Sequence, residues 1–173
     1  MKKIAAVAML LTALFTNTAN AQQDKSKRPS PPAVATQELT SGALINIDYS
    51  QPSIKGRTIG KDIEPKDGEV WRTGANEATV FETSKAVKIN GKELPAGKYA
   101  LFTISGKESW TIIFNKTWKQ WGAFSYKQAD DALRIDAKAQ KAAAFAEKMT
   151  FSIDKTGLVT LLWGDNKITF TVE

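Results

Sequence analysis

From Glu38 onward the chain alternates apolar and polar residues with a period of two. Ile45, Ile47 and Tyr49 alternate with Asn46 and Asp48, and Leu133, Ile135 and Ala137 with Arg134, Asp136 and Lys138. Met149, Phe151 and Ile153 alternate with Thr150 and Ser152, and Ile168, Phe170 and Val172 with Thr169 and Thr171. That period belongs to strands that bury one face. Two runs, 99–104 and 110–114, are apolar at nearly every position and are expected as central strands covered on both faces. Turn residues separate the runs. Asn90-Gly91 between residues 87–89 and 93–94 is a strong hairpin signal. Pro95-Ala96-Gly97, Ser105-Gly106-Lys107 and the stretch 154–157 mark further turns, and Gly164-Asp165-Asn166 is expected to end a strand over 158–163. Strands therefore recur every ~8–12 residues, which predicts an all-β fold, an antiparallel β-sandwich of jelly-roll-like kind. Residues 139–147 are alanine-rich, and helix propensity predicts one short helical crossover over about 141–148.

The ends divide the chain into three parts. Lys2 and Lys3, the apolar run 4–15 and the small-x-small triplet Ala19-Asn20-Ala21 have the form of a cleaved secretion signal over 1–21. The run is too short to span a bilayer, which takes about 20 apolar residues. Residues 22–37 hold Pro29, Pro31 and Pro32 among Lys25, Lys27 and Arg28, and their composition predicts a flexible tether. Residues 38–173 are then expected to form one β domain, exported to the periplasm or beyond the cell.

Composition narrows the chemistry. The sequence has no histidine and no cysteine. Triad catalysis through Ser-His-Asp or Cys-His, and zinc, copper or haem sites of the usual ligand types, are excluded. No disulfide can staple the domain, so packing alone must hold it. No cofactor and no metal are expected. The formal charge of +6 falls to +4 once Lys2 and Lys3 leave with the leader, and the lysines are scattered among acids. Nucleic acid is therefore not an expected partner, and no later segment is apolar and long enough to span a membrane.

Three polar constellations remain. Trp71-Arg72-Thr73-Gly74-Ala75-Asn76-Glu77 gathers a guanidinium, a hydroxyl, an amide and a carboxylate around a glycine bend. Arg72 suits a carboxylate or sulfate, while Asn76 and Glu77 suit sugar hydroxyls. The competing reading pairs Arg72 with Glu77 and places Trp71 in the core. The stretch 49–57 brings Lys55 and Arg57, which either widen an anionic site at Arg72 or remain solvated loop charges. Trp118, Trp121, Phe124 and Tyr126 fall within nine residues, as a stacking platform for a sugar or as a plug for one end of the sandwich. Trp118 is expected to be the exposed member. The candidate ligand-binding set is Arg72, Asn76, Glu77, Arg57, Trp118 and Trp121.

These segments, with Ile89-Asn90-Gly91-Lys92, Leu94-Pro95-Ala96-Gly97-Lys98-Tyr99, Trp110-Thr111-Ile112-Ile113-Phe114-Asn115 and Gln120-Trp121-Gly122, resemble a family of small exported Bacteroidetes proteins catalogued as a domain of unknown function. The resemblance runs in order from about Leu39 to Glu173. It implies an exported β domain and carries over no catalytic residue. Many members look like lipoproteins with an N-terminal cysteine, which this chain lacks.

The expectations rank as follows. A binding module for a glycan or another small polar or anionic ligand comes first, and requires the Arg72/Asn76/Glu77 and Trp118/Trp121 loops to share one concave surface. A structural or protein-interaction role in the cell envelope is the alternative, and would show as an exposed apolar patch. A carboxylate-dependent hydrolase comes third. It needs a second acid beside Glu77, drawn from Asp48, Asp62, Glu64 or Glu69.

Overall fold

The computed structural model describes residues 24–173, so the leader expected over 1–21 lies outside the described residues. Ten strands follow one another: β1 (Pro32–Glu38), β2 (Leu44–Ser50), β3 (Val70–Trp71), β4 (Thr79–Thr83), β5 (Val87–Ile89), β6 (Lys92–Leu94), β7 (Gly97–Ile104), β8 (Ser109–Asn115), β9 (Asp131–Ile153) and β10 (Leu158–Thr171). All sheet pairings between them are antiparallel. The main sheet runs β1-β2-β4-β7-β8-β9-β10, with β3 also on β7, and β5-β6 forms a separate hairpin.

The sheet curls into a half-barrel because β9 serves two partners and then returns to the start. Its first part pairs with β8 from Asp131 to Lys138, and its remainder pairs with β10. The stretch just after β2 then docks on its far end. Met149 N–H donates to the Pro52 carbonyl and Ile54 N–H to that of Glu147, both at about 2.9–3.0 Å. The Gln51 side-chain amide donates to the Met149 carbonyl.

Inside the curl the alternating apolar positions meet. Ile45, Ile47, Phe81, Leu101, Ile112, Phe114, Met149, Leu161 and Phe170 belong to one buried cluster. Phe114 lies near its centre, edge-on to Phe81, Tyr99 and Phe170 with ring centroids 5.0–6.5 Å apart. The opposite parity of β4, β7 and β8 forms a second cluster of Ala78, Ala100, Phe102 and Ile113. Trp118, Ala123 and Tyr126, from the connection between β8 and β9, pack over it. The doubly apolar runs are thus central strands covered on both faces. Asn90-Gly91 makes the expected hairpin, with φ of 46° and 79° at its two positions.

Three expectations are corrected. The alanine-rich stretch is strand, not a helical crossover. Between Asn166↔Lys141 and Gly164↔Ala146, β9 advances five residues while β10 advances two, so the alanines lie in a bulge. A helix of eight residues is marginal by propensity alone, and here the backbone of 146–149 is hydrogen-bonded on both sides. Gly164-Asp165-Asn166 does not end a strand; β10 continues through it. The stretch 22–37, expected as a flexible tether, includes a strand. Pro32–Glu38 is edge strand β1, in register with β2 from Pro32↔Ser50 to Glu38↔Leu44. Pro32 is tolerated at the start of an edge strand, where no ladder donor is missed.

Candidate functional site

β3 and β4 lie end to end along the same side of β7, and residues 72–78 form the loop between them. Thr79 N–H donates to the Arg72 carbonyl at 3.2 Å and pinches the neck of this loop. Its buried half is structural. The Trp71 indole N–H donates to the Gly74 carbonyl, the Thr79 hydroxyl donates to the Thr73 carbonyl, and the hydroxyls of Thr73 and Thr103 are 3.2 Å apart. Gly74 is closely packed: a Cβ would sit 3.0 Å from Thr79 Oγ1 and 3.1 Å from the Ser50 carbonyl oxygen, tight enough that one of them would have to give. Thr73 and Asn76 both hold positive φ, 52° and 56°. For β-branched Thr73 that is a strained conformation, of the kind found at turns and sites.

The outer half of the loop meets the aromatic loop, as a shared site requires. Glu77 and Trp121 form an antiparallel bridge, Ala78 N–H donates to the Gln120 carbonyl, and Gly122 N–H donates to that of Asn76. Together they border a cleft of about 620 Å³. Its floor is the outer face of β2 and β4, where Asp48 stands opposite Val80. Trp118, Gln120, Trp121, Lys25 and Pro32 line it as well. Trp121 is 57 % exposed. Trp118 is partly buried on the second cluster, with Lys98 and Lys119 ammonium groups 5.4 and 5.0 Å from its ring centre. The exposed tryptophan is therefore Trp121 and not Trp118. Phe124 next to it does not plug the fold; it is 87 % exposed.

Glu77 does not pair with Arg72. Arg28 Nη1 reaches both of its carboxylate oxygens, at 3.0 and 2.8 Å, and Lys25 Nζ lies at 3.0 Å. Burial pushes the Glu77 carboxyl up, but the hydrogen bonds and charges of Arg28 and Lys25 outweigh it and hold the group below its ordinary value. The Arg28 guanidinium also stands over Trp121, 5.9 Å from the ring centre. Asn76 donates its side-chain amide to the Ser30 carbonyl, which fastens the same N-terminal segment to the loop.

Arg72 and Arg57 lie elsewhere, on a smaller cavity of about 230 Å³ walled by Trp71, Trp163, Ile63 and Glu64. Arg57 is exposed and holds its own loop, donating Nε to the Ile54 carbonyl and Nη2 to that of Ser53. Arg72 Nε is sealed from solvent and meets no acceptor among the described residues. Burial lowers the Arg72 pKa, and the field of Glu64 opposes that shift.

The six candidates thus divide. Glu77, Trp118 and Trp121 share the large cleft, Asn76 braces its edge, and Arg72 and Arg57 share the small cavity. Sequence reasoning missed Lys25 and Arg28 because their segment read as a tether. It weighed Asp48 only as one of four acids, though its polar place in the alternation of β2 put it on the outer face. Among the described residues no cluster of acidic side chains fit to hold a metal occurs, and no helix is long and apolar enough to cross a membrane.

Fold and site together define a curled antiparallel β domain with an aromatic-lipped, mixed-charge cleft on its outer face. The chain belongs to the family described as "Protein of unknown function (DUF2911)", whose model matches residues 30–172. Comparison with curated proteins and with solved structures gives no match.

Proposed function

We propose that this is an exported binding module and that its large cleft takes a neutral glycan. The observation that carries the reading is Trp121. An indole more than half exposed stands at the lip of a cleft whose floor and walls hold Asp48, Glu77 and Gln120. Indole faces suit the apolar face of a sugar ring, and carboxylates and amides accept and donate to its hydroxyls. The two carboxylates are balanced by Lys25 and Lys119 in the same cleft, which favours a neutral sugar over an acidic one. A volume of about 620 Å³ lies within the ~300–1,000 Å³ range of small-molecule sites.

The hydrolase alternative is weaker on this geometry. A general acid needs a raised pKa, and Glu77 is held ionised between two cations. The interaction alternative keeps one specific support, the neighbouring exposed rings of Trp121 and Phe124. Isothermal titration of the mature chain against a panel of neutral and acidic oligosaccharides tests the glycan reading. Saturable binding of a neutral member, weakened at least tenfold in Trp121→Ala, is the expected result. Binding that survives Trp121→Ala unchanged, or no binding across the panel, overturns it.

A further inference from the structure

We propose that the loop between β8 and β9 docks this protein on an anionic phospholipid surface, with Phe124 as the inserted ring and Lys116, Lys119 and Lys127 as the charges that hold it there. The loop sorts its large side chains onto two sides. Trp118, Ala123 and Tyr126 pack inward over the second apolar cluster, while Trp121 and Phe124 turn outward and are 57 % and 87 % exposed. The Phe124 ring lies against Gly122, where an added Cβ would come within 2.8 Å of it, so the two outward rings share one tip. That tip is braced. Trp121 bridges to Glu77, Gly122 N–H donates to the Asn76 carbonyl, and the Asn115 amide ties the two ends of the loop together at the Lys127 carbonyl. A nearly bare phenyl ring adds no core contact to the fold, and beside a second exposed ring it marks a surface that meets a partner.

Charge selects the partner. Residues 116–129 carry three lysines, all exposed, and no acid. The acids around the loop are already engaged: Asp131 with Asn115 and Tyr126, Asp130 with the Thr117 hydroxyl, and Glu77 with Arg28 and Lys25. Aromatic rings settle at the boundary between headgroups and acyl chains, and lysine stems lie along apolar surface while their ammonium groups reach lipid phosphates. A protein partner fits this tip less well. Lysine is depleted from protein interfaces, and two rings bury at most ~500 Å² where a stable complex buries ~800 Å² on each side. The proposal stands apart from the glycan reading, since Phe124, Lys116 and Lys127 do not line the large cleft.

The test mixes a chain that begins at Gln22 with unilamellar vesicles of phosphatidylcholine, alone or with phosphatidylglycerol, and reads binding by co-sedimentation and tryptophan emission. Binding to the phosphatidylglycerol vesicles with a blue shift is expected at an ionic strength of about 0.05 M, at least tenfold weaker binding to phosphatidylcholine alone, and release at about 0.5 M. Phe124→Ser and the double variant Lys116→Gln/Lys127→Gln are each expected to weaken vesicle binding at least fivefold. All three residues are exposed, so the variants are expected to keep the circular dichroism of the parent chain. Phe145→Ser, which removes a 57 % exposed ring from the bulge of β9, is expected to leave vesicle binding unchanged. Phe124→Ser is likewise expected to leave any oligosaccharide titration unchanged, and no vesicle readout depends on a sugar, so the two readings stand or fall separately. The proposal is overturned by an absence of binding to anionic vesicles, by equal binding to both vesicle kinds, or by binding indifferent to Phe124 or to the lysines. An equal loss in Phe145→Ser also overturns it, as does self-association that Phe124→Ser abolishes, which would give the ring to a second copy of the chain.

Discussion

Gly157 sits at φ 91° in the turn between β9 and β10, and a Cβ there would drive into the carbonyl oxygen of Val172. Its own N–H donates to the Asp154 carbonyl, and its carbonyl accepts from Val172 N–H, so the backbone cannot back away without breaking two bonds. Gly157→Ala is expected to cost at least about 2 kcal/mol, read as a lowered urea midpoint; an unchanged midpoint would mean that the turn has slack. Glu77 acts through charge instead. Its folded pKa lies below the ordinary 4.5, so its stabilising contribution is complete above that pH and drains away as the pH falls through the folded value. Its side chain is 38 % exposed, and solvent screening keeps the pairs modest. Glu77→Gln is expected to cost about 0.5 kcal/mol at pH 7 and progressively less as the pH falls below 4.5. Denaturant unfolding across the acid range checks this, and a gap that stays constant as the pH falls would assign the residue a role of shape.

At the scale of elements, the connection between β8 and β9 shows how a long loop is kept rigid enough to carry aromatics. Asn115, fully buried, donates its amide to the Lys127 carbonyl and to Asp131 Oδ1, and accepts from Thr117 N–H. Tyr126 donates its hydroxyl to Asp131 Oδ2 at 2.7 Å. Burial first, then that bond and the charge of Asp131, push the Tyr126 phenol up to about 12. The folded value exceeds the unfolded one near 10, so the contribution is full below about pH 10 and is lost as the pH rises toward 12. Unfolding measured from pH 8 to 12 is expected to show up to about 2 kcal/mol of alkaline loss in the wild type that Tyr126→Phe lacks. Identical profiles would mean that the hydroxyl is solvated. Asn115→Ala is expected to cost about 2–3 kcal/mol, because it strands partners at both ends of the loop, and to speed amide exchange over 116–130; exchange left unaltered would count against this account.

The legibility of elements follows from what decided them. Strand β2, the first part of β9 and the last part of β10 declared themselves by alternation because one face of each meets the core, β7 and β8 by unbroken apolar runs covered on both faces, and the Asn90-Gly91 hairpin by its need for positive φ at both positions. The second half of β9 did not, because its conformation is imposed by β10 and by residues 51–54, partners far away in sequence. The candidate site was legible to the same degree. Trp121 and Glu77 could be put in one place because both lie in loops among strands. Which arginine Glu77 meets could not, because Arg28 reaches it from 49 residues away.

Across the whole molecule, the N-terminal segment 24–31 touches both candidate sites and belongs to neither sheet. Lys25 faces the large cleft, Ser30 the small cavity, and Arg28 ties the segment to Glu77 and Trp121. Its remaining attachments are the Lys25 ion pair with Glu77, the Asn76 bond to the Ser30 carbonyl and the Gln51 N–H bond to the Pro31 carbonyl. None of its residues is buried, so it adds charge pairs and hydrogen bonds at the surface, each worth about 1 kcal/mol or less. A chain that begins at Pro31 keeps β1, its register with β2 and the whole core. It is expected to retain the far-UV circular dichroism of a chain that begins at Gln22 while its midpoint falls by only a few degrees, since about 1 kcal/mol shifts a domain of this size by ~2–4 °C. A chain that begins at Leu39 loses β1 as well, exposing the β2 edge and unroofing Ala35's share of the core, and is expected to aggregate on heating. The contrast between the two truncations is the measurement. If the shorter deletion already unfolds the protein, the segment is an integral part of the fold; if it does not, the segment is a strap laid between the large cleft and the small cavity.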